Sequence, residues 1–224
     1  LPELEQLMLH RIYILHNNFK KYFNNYDFHN LYKELLNFCT VDLSAFYFDI
    51  RKDNLYCDPI DSEKRKSTIL VLNIILNALL KWFAPILSFT TEEIFKLLFK
   101  DQKSIHLEKF LEFPEKFKNE KLSNKWSELI KIRNICNISI EEKRASKEIG
   151  SSLEADLKIQ LNQKLKSLTE NTDFSELCIT SSAVVNYKDD IETTAVTSKS
   201  KGSKCSICWK IKETACNRAN CALN

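Results

Sequence analysis

A mainly α fold, with a helical bundle, then a small α+β subdomain and a terminal cysteine module, is predicted by three observations. The 224 residues hold only two glycines and four prolines while 44% are hydrophobic. Such a chain can bury a sizeable core but lacks the glycine punctuation of a sandwich or doubly wound sheet. Apolar residues recur mostly at three- and four-residue steps up to about residue 147, and the clearest alternation follows Gly150. Four of the eight cysteines fall in the last twenty residues. These observations divide the chain into a bundle over 1–150, an α+β subdomain over 151–198, and a basic linker with a four-cysteine module over 199–224.

The elements follow in order. Leu4, Met8, Ile12, Leu15, Phe19 and Tyr22 form one face of a first long helix that Asn24 and Asn25 end. Asp27 is a suitable N-cap for a second helix carrying Leu31, Leu35 and Phe38, followed by the aromatic run Phe46, Tyr47, Phe48. A third helix runs from Asp61 or Ser62 to about Ala84. Its polar positions Asn73, Asn77 and Lys81 come every fourth residue, which predicts a helix at the centre of the bundle. Pro85 stops it. Thr90 and Glu93 then offer a capping box, with Phe89 and Ile94 as a hydrophobic staple, for a short helix to about Phe99. Residues 105–117 cross the bundle surface in extended form around Pro114. A fifth helix occupies about Leu122 to Lys147, with Gly150 as its C-cap. Leu153 to Leu161 alternates as a strand, and short β-like runs near 177–179, 183–187 and 191–196 complete the subdomain. Lys199 to Ser203 reads as a flexible linker.

Several classes are excluded or disfavoured. The apolar run Ile69 to Leu87 is interrupted by Asn73, Asn77, Lys81 and Pro85, so no membrane segment is expected. The chain opens on Leu1 directly in helical pattern, without a leader, and reads as an excised piece. His10, His16, His29 and His106 have no metal spacing and no paired nucleophile, so no catalytic residue is assigned. Cys39, Cys57, Cys136 and Cys178 are scattered singly, a distribution that fits a reducing cytosol and a metal better than a disulfide framework.

Cys205, Cys208, Cys216 and Cys221 form C-x2-C-x7-C-x4-C, in which the close first pair can grip one ion from a tight turn. A tail with so little apolar content cannot fold by burial, whereas structural zinc contributes on the order of 10 to 16 kcal/mol to such modules. One zinc per chain is the reading, with two disulfides or unligated thiols as the alternative. Residues 199–224 hold six Lys or Arg against one acid, although the whole chain carries only +3. Trp209 follows the first cysteine pair among Lys204, Lys210 and Lys212, with Arg218 further along, so a flat ring is offered among cations as single-stranded RNA recognition requires. The competing reading is a Trp that covers the metal. Arg144 and Lys147 crowd the end of the fifth helix, where phosphate contact competes with a role at the helix dipole.

The segment Phe38-Cys39-Thr40-Val41-Asp42-Leu43-Ser44-Ala45-Phe46-Tyr47-Phe48-Asp49-Ile50, continuing to Tyr56, resembles the helical anticodon-binding domain of bacterial-type isoleucyl-tRNA synthetases, a class I family. Ala84-Pro85-Ile86-Leu87 with its Thr-x-x-Glu is shared with the valyl and leucyl relatives. Gly150-Ser151-Ser152-Leu153-Glu154-Ala155 and Lys204-Cys205-Ser206-Ile207-Cys208-Trp209 are similar to the isoleucyl branch. The family usually has Arg where Ile207 stands, and its last two cysteines are usually two apart. The resemblance implies a carboxy-terminal portion that binds tRNA(Ile) and reads its anticodon, in a monomeric cytoplasmic enzyme that joins isoleucine to tRNA using ATP. The ATP site and the editing site belong to catalytic and editing domains absent from this chain, which has neither His-x-Gly-His nor Lys-Met-Ser-Lys-Ser. The isolated chain is expected to be catalytically inactive. The alternative is a zinc-braced interaction module without direct base readout.

Overall fold

The computed structural model describes residues 1–100, 103–216, 218 and 221. In chain order its elements are α1 (Glu3–Asn24), α2 (Phe28–Asn37), a π-helix (Phe38–Phe48), α3 (Asp49–Cys57), α4 (Glu63–Phe83), α5 (Ser88–Leu98), α6 (Glu120–Ala145), β1 (Ala155–Asn162), α7 (Lys166–Thr169), α8 (Phe174–Leu177), β2 (Ser182–Lys188), β3 (Thr194–Lys199), β4 (Ser203–Lys204) and β5 (Ile211–Lys212). The mainly α class with a small sheet is as predicted. Residues group into two compact units, 1–37 with 63–119 and 38–62 with 120–224. This packing cuts across the chain-order division at 150 and 198.

In the first unit, α1 buries Leu4, Met8, Ile12, Leu15 and Phe19, and α4 buries Val71, Ile75, Ala78 and Trp82. The two helices meet through Phe19, stacked on Trp82 at 5.6 Å between ring centroids, and through Thr68, whose hydroxyl donates to Glu5 at 3.0 Å. The extended stretch after α5 lays Phe110 edge-on to Phe19 at 5.2 Å. It also brings Phe113 against Trp82 and His16. Asp27 caps α2 by accepting from the Asn30 N–H at 3.2 Å.

Two expectations for this unit are corrected. By length and composition α4 could cross a membrane, but here it is a one-sided core helix, with Ile69 and Leu70 exposed on its other side. Its polar residues mark only part of the solvent face. α5 begins at Ser88, two residues before the expected cap. Thr91 lies inside it, donating to the Leu87 carbonyl at 3.0 Å, and Phe89, 93% exposed, makes no staple. The turn after Pro85 brings the chain into helix sooner than the Thr-Thr-Glu-Glu signal alone implies.

In the second unit, Phe38, Leu43, Phe46 and Tyr47 of the π-helix are buried. The five-residue step from Phe38 to Leu43 falls outside the three- and four-residue steps of an α-helix, so the segment keeps no unbroken α period. β1 is the central strand, parallel to β2 and antiparallel to β3. The side chains of Ala155, Leu157, Ile159 and Leu161 are wholly buried on one face. The parallel pairing demands a crossover, which α7 and α8 supply. Where the first of three short β-like runs is expected at 177–179, the last residue of α8 and the turn after it stand instead. Asp173 starts α8, accepting from the Ser175 and Glu176 N–H groups at 2.9 and 3.1 Å, and local capping outweighs the short apolar run.

The chain closes its helices with almost no glycine. After α6, the Glu148 N–H reaches the Lys143 carbonyl and the Lys147 N–H reaches Arg144, with Lys147 at φ +59°. This is a Schellman closure on Lys147 rather than the predicted one on Gly150. The same pattern closes α1 on Tyr26 and α8 on Ile179, at φ +57° and +58°. Gly150 instead donates its N–H to Glu154 at 2.9 Å. Residues 199–203 are not a free linker: Lys199 ends β3, and Ser200 donates through its hydroxyl to Asp156 at 2.6 Å.

Candidate metal centre and nucleic-acid interface

β4 and β5 form a two-rung antiparallel ribbon, Ser203 opposite Lys212 and Lys204 opposite Ile211, which anchors the cysteine turn. Gly202 starts it at φ +116°, and a Cβ there would lie 2.1 Å from the Lys212 carbonyl oxygen, so only glycine fits. The turn itself is closed by the Trp209 N–H on the Cys205 carbonyl (3.0 Å) and the Cys205 N–H on the Lys210 carbonyl (2.9 Å). Trp209 pays for this with a left-handed backbone at φ +61°, and the residue is 59% exposed.

The turn brings the four predicted cysteines together, every sulfur within 4.8 Å of the others. Cys208 and Cys216 stand 3.8 Å apart. A tetrahedral ion at about 2.3 Å from each sulfur sets sulfur separations of about 3.8 Å, so the set fits a metal ion such as zinc. The N–H groups of Cys208 and Ile207 point at Cys205 and hold its thiol down at about 6. One ligand is therefore prepared as thiolate near neutral pH. Burial pushes Cys208 and Cys221 the other way, the direction that a bound cation reverses.

The module is held in the second unit by contacts that no local sequence signal marks. Arg218 donates to Asp53 and to Asp58, each at 2.6 Å. Cys57, buried between those acids, packs against Cys208 and Cys221. Burial and the Asp53 carboxylate, to which the thiol donates, raise its pKa to about 11, so it sits there neutral. Ser181 accepts the Ile211 N–H at 2.7 Å and donates to the Leu153 carbonyl.

α3 is the common support. Asp49 takes Arg133 of α6 at 3.4 Å, Arg51 donates to Glu176 of α8 at 2.5 Å, and Asp53 takes Arg218. Arg133 also lies over Phe46, 5.7 Å from its ring centroid. Three alternate residues of one helix thus tie α6, α8 and the cysteine module into a single frame.

The expected RNA-facing residues divide into two groups. Lys204, Trp209, Lys210 and Lys212 are together on the cysteine module, with Lys204 also 3.6 Å from Glu154. Arg218 belongs to the module but its guanidinium is engaged by two carboxylates. Arg144 and Lys147 line a separate open hollow of about 500 Å³ with Glu141 and Ile149, and Arg144 donates to Glu141 at 2.7 Å. Sequence reasoning missed Asp53, Tyr56, Cys57, Asp58 and Glu154. Of these Asp53 and Tyr56, in the segment continuing to Tyr56, and Glu154, inside the Gly-Ser-Ser-Leu-Glu-Ala stretch, lay in the stretches that carry the resemblance, whereas Cys57 and Asp58 carried no signal.

A family model described as the anticodon-binding domain of tRNA ligase matches residues 5–161. The chain is 67% identical over 218 residues to the isoleucine–tRNA ligase of Pelagibacter ubique, covering 97% of this chain and 24% of that protein. It is 38% identical over 221 residues to the isoleucine–tRNA ligase of Bartonella henselae and 38% over 222 to that of Agrobacterium fabrum, covering 94% of this chain and 23% of each. It thus spans about a quarter of the length of these relatives. By its helical domain and the extent of the match, this chain belongs to the anticodon-binding domain family of tRNA ligases.

Proposed function

We propose that this chain is the tRNA(Ile)-binding part of an isoleucine–tRNA ligase, a monomeric cytoplasmic enzyme whose catalytic and editing domains use ATP and act elsewhere on the polypeptide. The observation that carries the reading is the cysteine module. Four converging sulfurs hold one zinc ion, and the module they fold presents Trp209 between Lys204, Lys210 and Lys212. Cations of this kind hold phosphates while an exposed ring stacks on an unpaired base. Arg144 and Lys147, at the end of α6, add a phosphate contact in the stem. Arg218 orients the module through Asp53 and Asp58.

The test is competition binding of the zinc-loaded chain to an isoleucine tRNA transcript against other tRNAs over a range of salt. Preference for the isoleucine transcript, a steep salt dependence and a weaker complex with Trp209→Ala support the proposal. Equal binding of all tRNAs, or an unchanged complex with Trp209→Ala, removes it. The second reading, a zinc-braced module that only stiffens the enzyme body, is favoured by the double clamp on Arg218. It predicts that Trp209→Ala leaves aminoacylation by the full-length enzyme unaltered.

A further inference from the structure

Beside the cysteine module lies a cleft of about 270 Å³ whose walls include Tyr56, Leu153, Ile179, Ile207 and Trp209. Tyr56 is the last residue but one of α3 and is 81% exposed, and Trp209 stands in the same cleft from the cysteine turn. Two large exposed rings thus share one small cleft whose other walls are aliphatic and cysteine side chains and two charged residues, Lys52 and Asp53. Its position is fixed by the groups that hold the module: Arg218 on Asp53 and Asp58, Cys57 on the cysteine cluster, and Ser181 on Ile211.

From this arrangement we infer that the cleft between Tyr56 and Trp209 is a receptor for one unstacked nucleobase, and that it reads the presence of a base rather than its identity. The inference rests on the tRNA-binding reading above and extends it to a second aromatic residue and a mode of recognition. Base identity is read by hydrogen bonds to base edges, and the groups lining this cleft offer few. Asp53 is engaged by Arg218, and Lys52 is engaged by Asp49 at 2.6 Å. What remains is mostly π-face and aliphatic surface, which every base can use alike, with the Tyr56 hydroxyl and the Trp209 indole N–H as the polar groups of the two rings. Lys204, Lys210 and Lys212, which lie on the same cysteine module as Trp209, supply the charge that draws a phosphate backbone to it. A single-stranded RNA carries a flat ring and a phosphate in every unit, which matches two rings and a set of lysines together, so RNA is the occupant the site favours.

The experiment uses the full zinc-loaded chain and an isoleucine-tRNA anticodon stem-loop. Each loop base is replaced in turn by an abasic unit and, separately, by another base. Trp82 and Trp126 are buried, so iodide quenching reports on Trp209. At one loop position, abasic substitution is expected to weaken binding about fivefold to a hundredfold. Exchange for another base there should change little, and the hairpin should protect Trp209 from iodide. Tyr56→Ala should give a similar loss that is not added to the abasic loss, while Tyr56→Phe keeps wild-type affinity. Tyr56 is exposed, so circular dichroism of Tyr56→Ala should match wild type. If base exchange costs as much as base removal, or if Tyr56→Ala binds like wild type while Trp209→Ala does not, the cleft is no such receptor and the tRNA-binding reading survives. If the wild-type chain fails to bind the hairpin, both fall.

Discussion

Arg218 and Asp58 meet at 2.6 Å, and the same guanidinium reaches Asp53 at 2.6 Å. A residue of the cysteine module is thereby locked onto α3, some 160 positions earlier in the chain. The two carboxylates raise the already high basicity of the arginine, so it stays charged throughout. Replacing it with Ala leaves two partly buried carboxylates without their partner, at a cost of about 2 kcal/mol. Arg218→Ala should therefore expose the tail to proteolysis and loosen the metal. Arg218→Lys should rescue poorly, since one ammonium cannot span both acids as a planar fork does. Protease mapping of the zinc-loaded variants checks this.

Gly202 is the second control on the module. Gly202→Ala drives a Cβ into the Lys212 carbonyl at a backbone angle that L-residues avoid. The β4–β5 ribbon should open, and a chromophoric chelator should extract the metal about tenfold more readily or worse, a difference of about 1.4 kcal/mol.

Lys147 holds a left-handed backbone, φ +59°, at the end of α6. Lys147→Gly relieves that strain and should stabilise the second unit by up to about 1 kcal/mol, read as a higher melting temperature. If Lys147 also touches phosphate, the same variant should bind tRNA more weakly and with a shallower salt slope. Greater stability with weaker binding separates the two roles of one residue.

His16 gives the pH dependence. It is buried between Trp82 and Phe113, with Nε2 3.5 Å from Glu112. Burial lowers its pKa below 6.5, outweighing the opposite pull of Glu112. The unfolded chain therefore takes up the proton first, and stability present above about pH 6.5 is lost as pH falls from there through the lowered value. Thermal melts from neutral to mildly acid pH should show this fall, and His16→Gln should flatten it.

Long apolar periods and the strict alternation of β1 were legible because burial imposes them locally. The 38–48 segment was recognisable as a match but not as a π-helix, since only the five-residue step from Phe38 to Leu43 breaks the α period that Phe46 and Tyr47 keep. One helix end was misplaced because glycine was taken as the signal: Lys147, not Gly150, takes the left-handed position after α6, whereas the end of α1 at Asn24 and Asn25 was legible. The four cysteines were visible in their spacing. Asp53, Tyr56, Cys57 and Asp58 were not, because their role depends on meeting residues more than a hundred positions away.

If the metal folds the surface that binds RNA, the most direct measurement is the affinity of this chain for an isoleucine tRNA transcript with zinc bound and after chelation. The expected result is one zinc per chain, and a complex that weakens at least tenfold, about 1.4 kcal/mol, when the metal is removed and recovers when zinc is restored. Equal affinity in the two states, with one zinc confirmed in the loaded sample, would contradict it and leave the module a brace without a part in binding RNA.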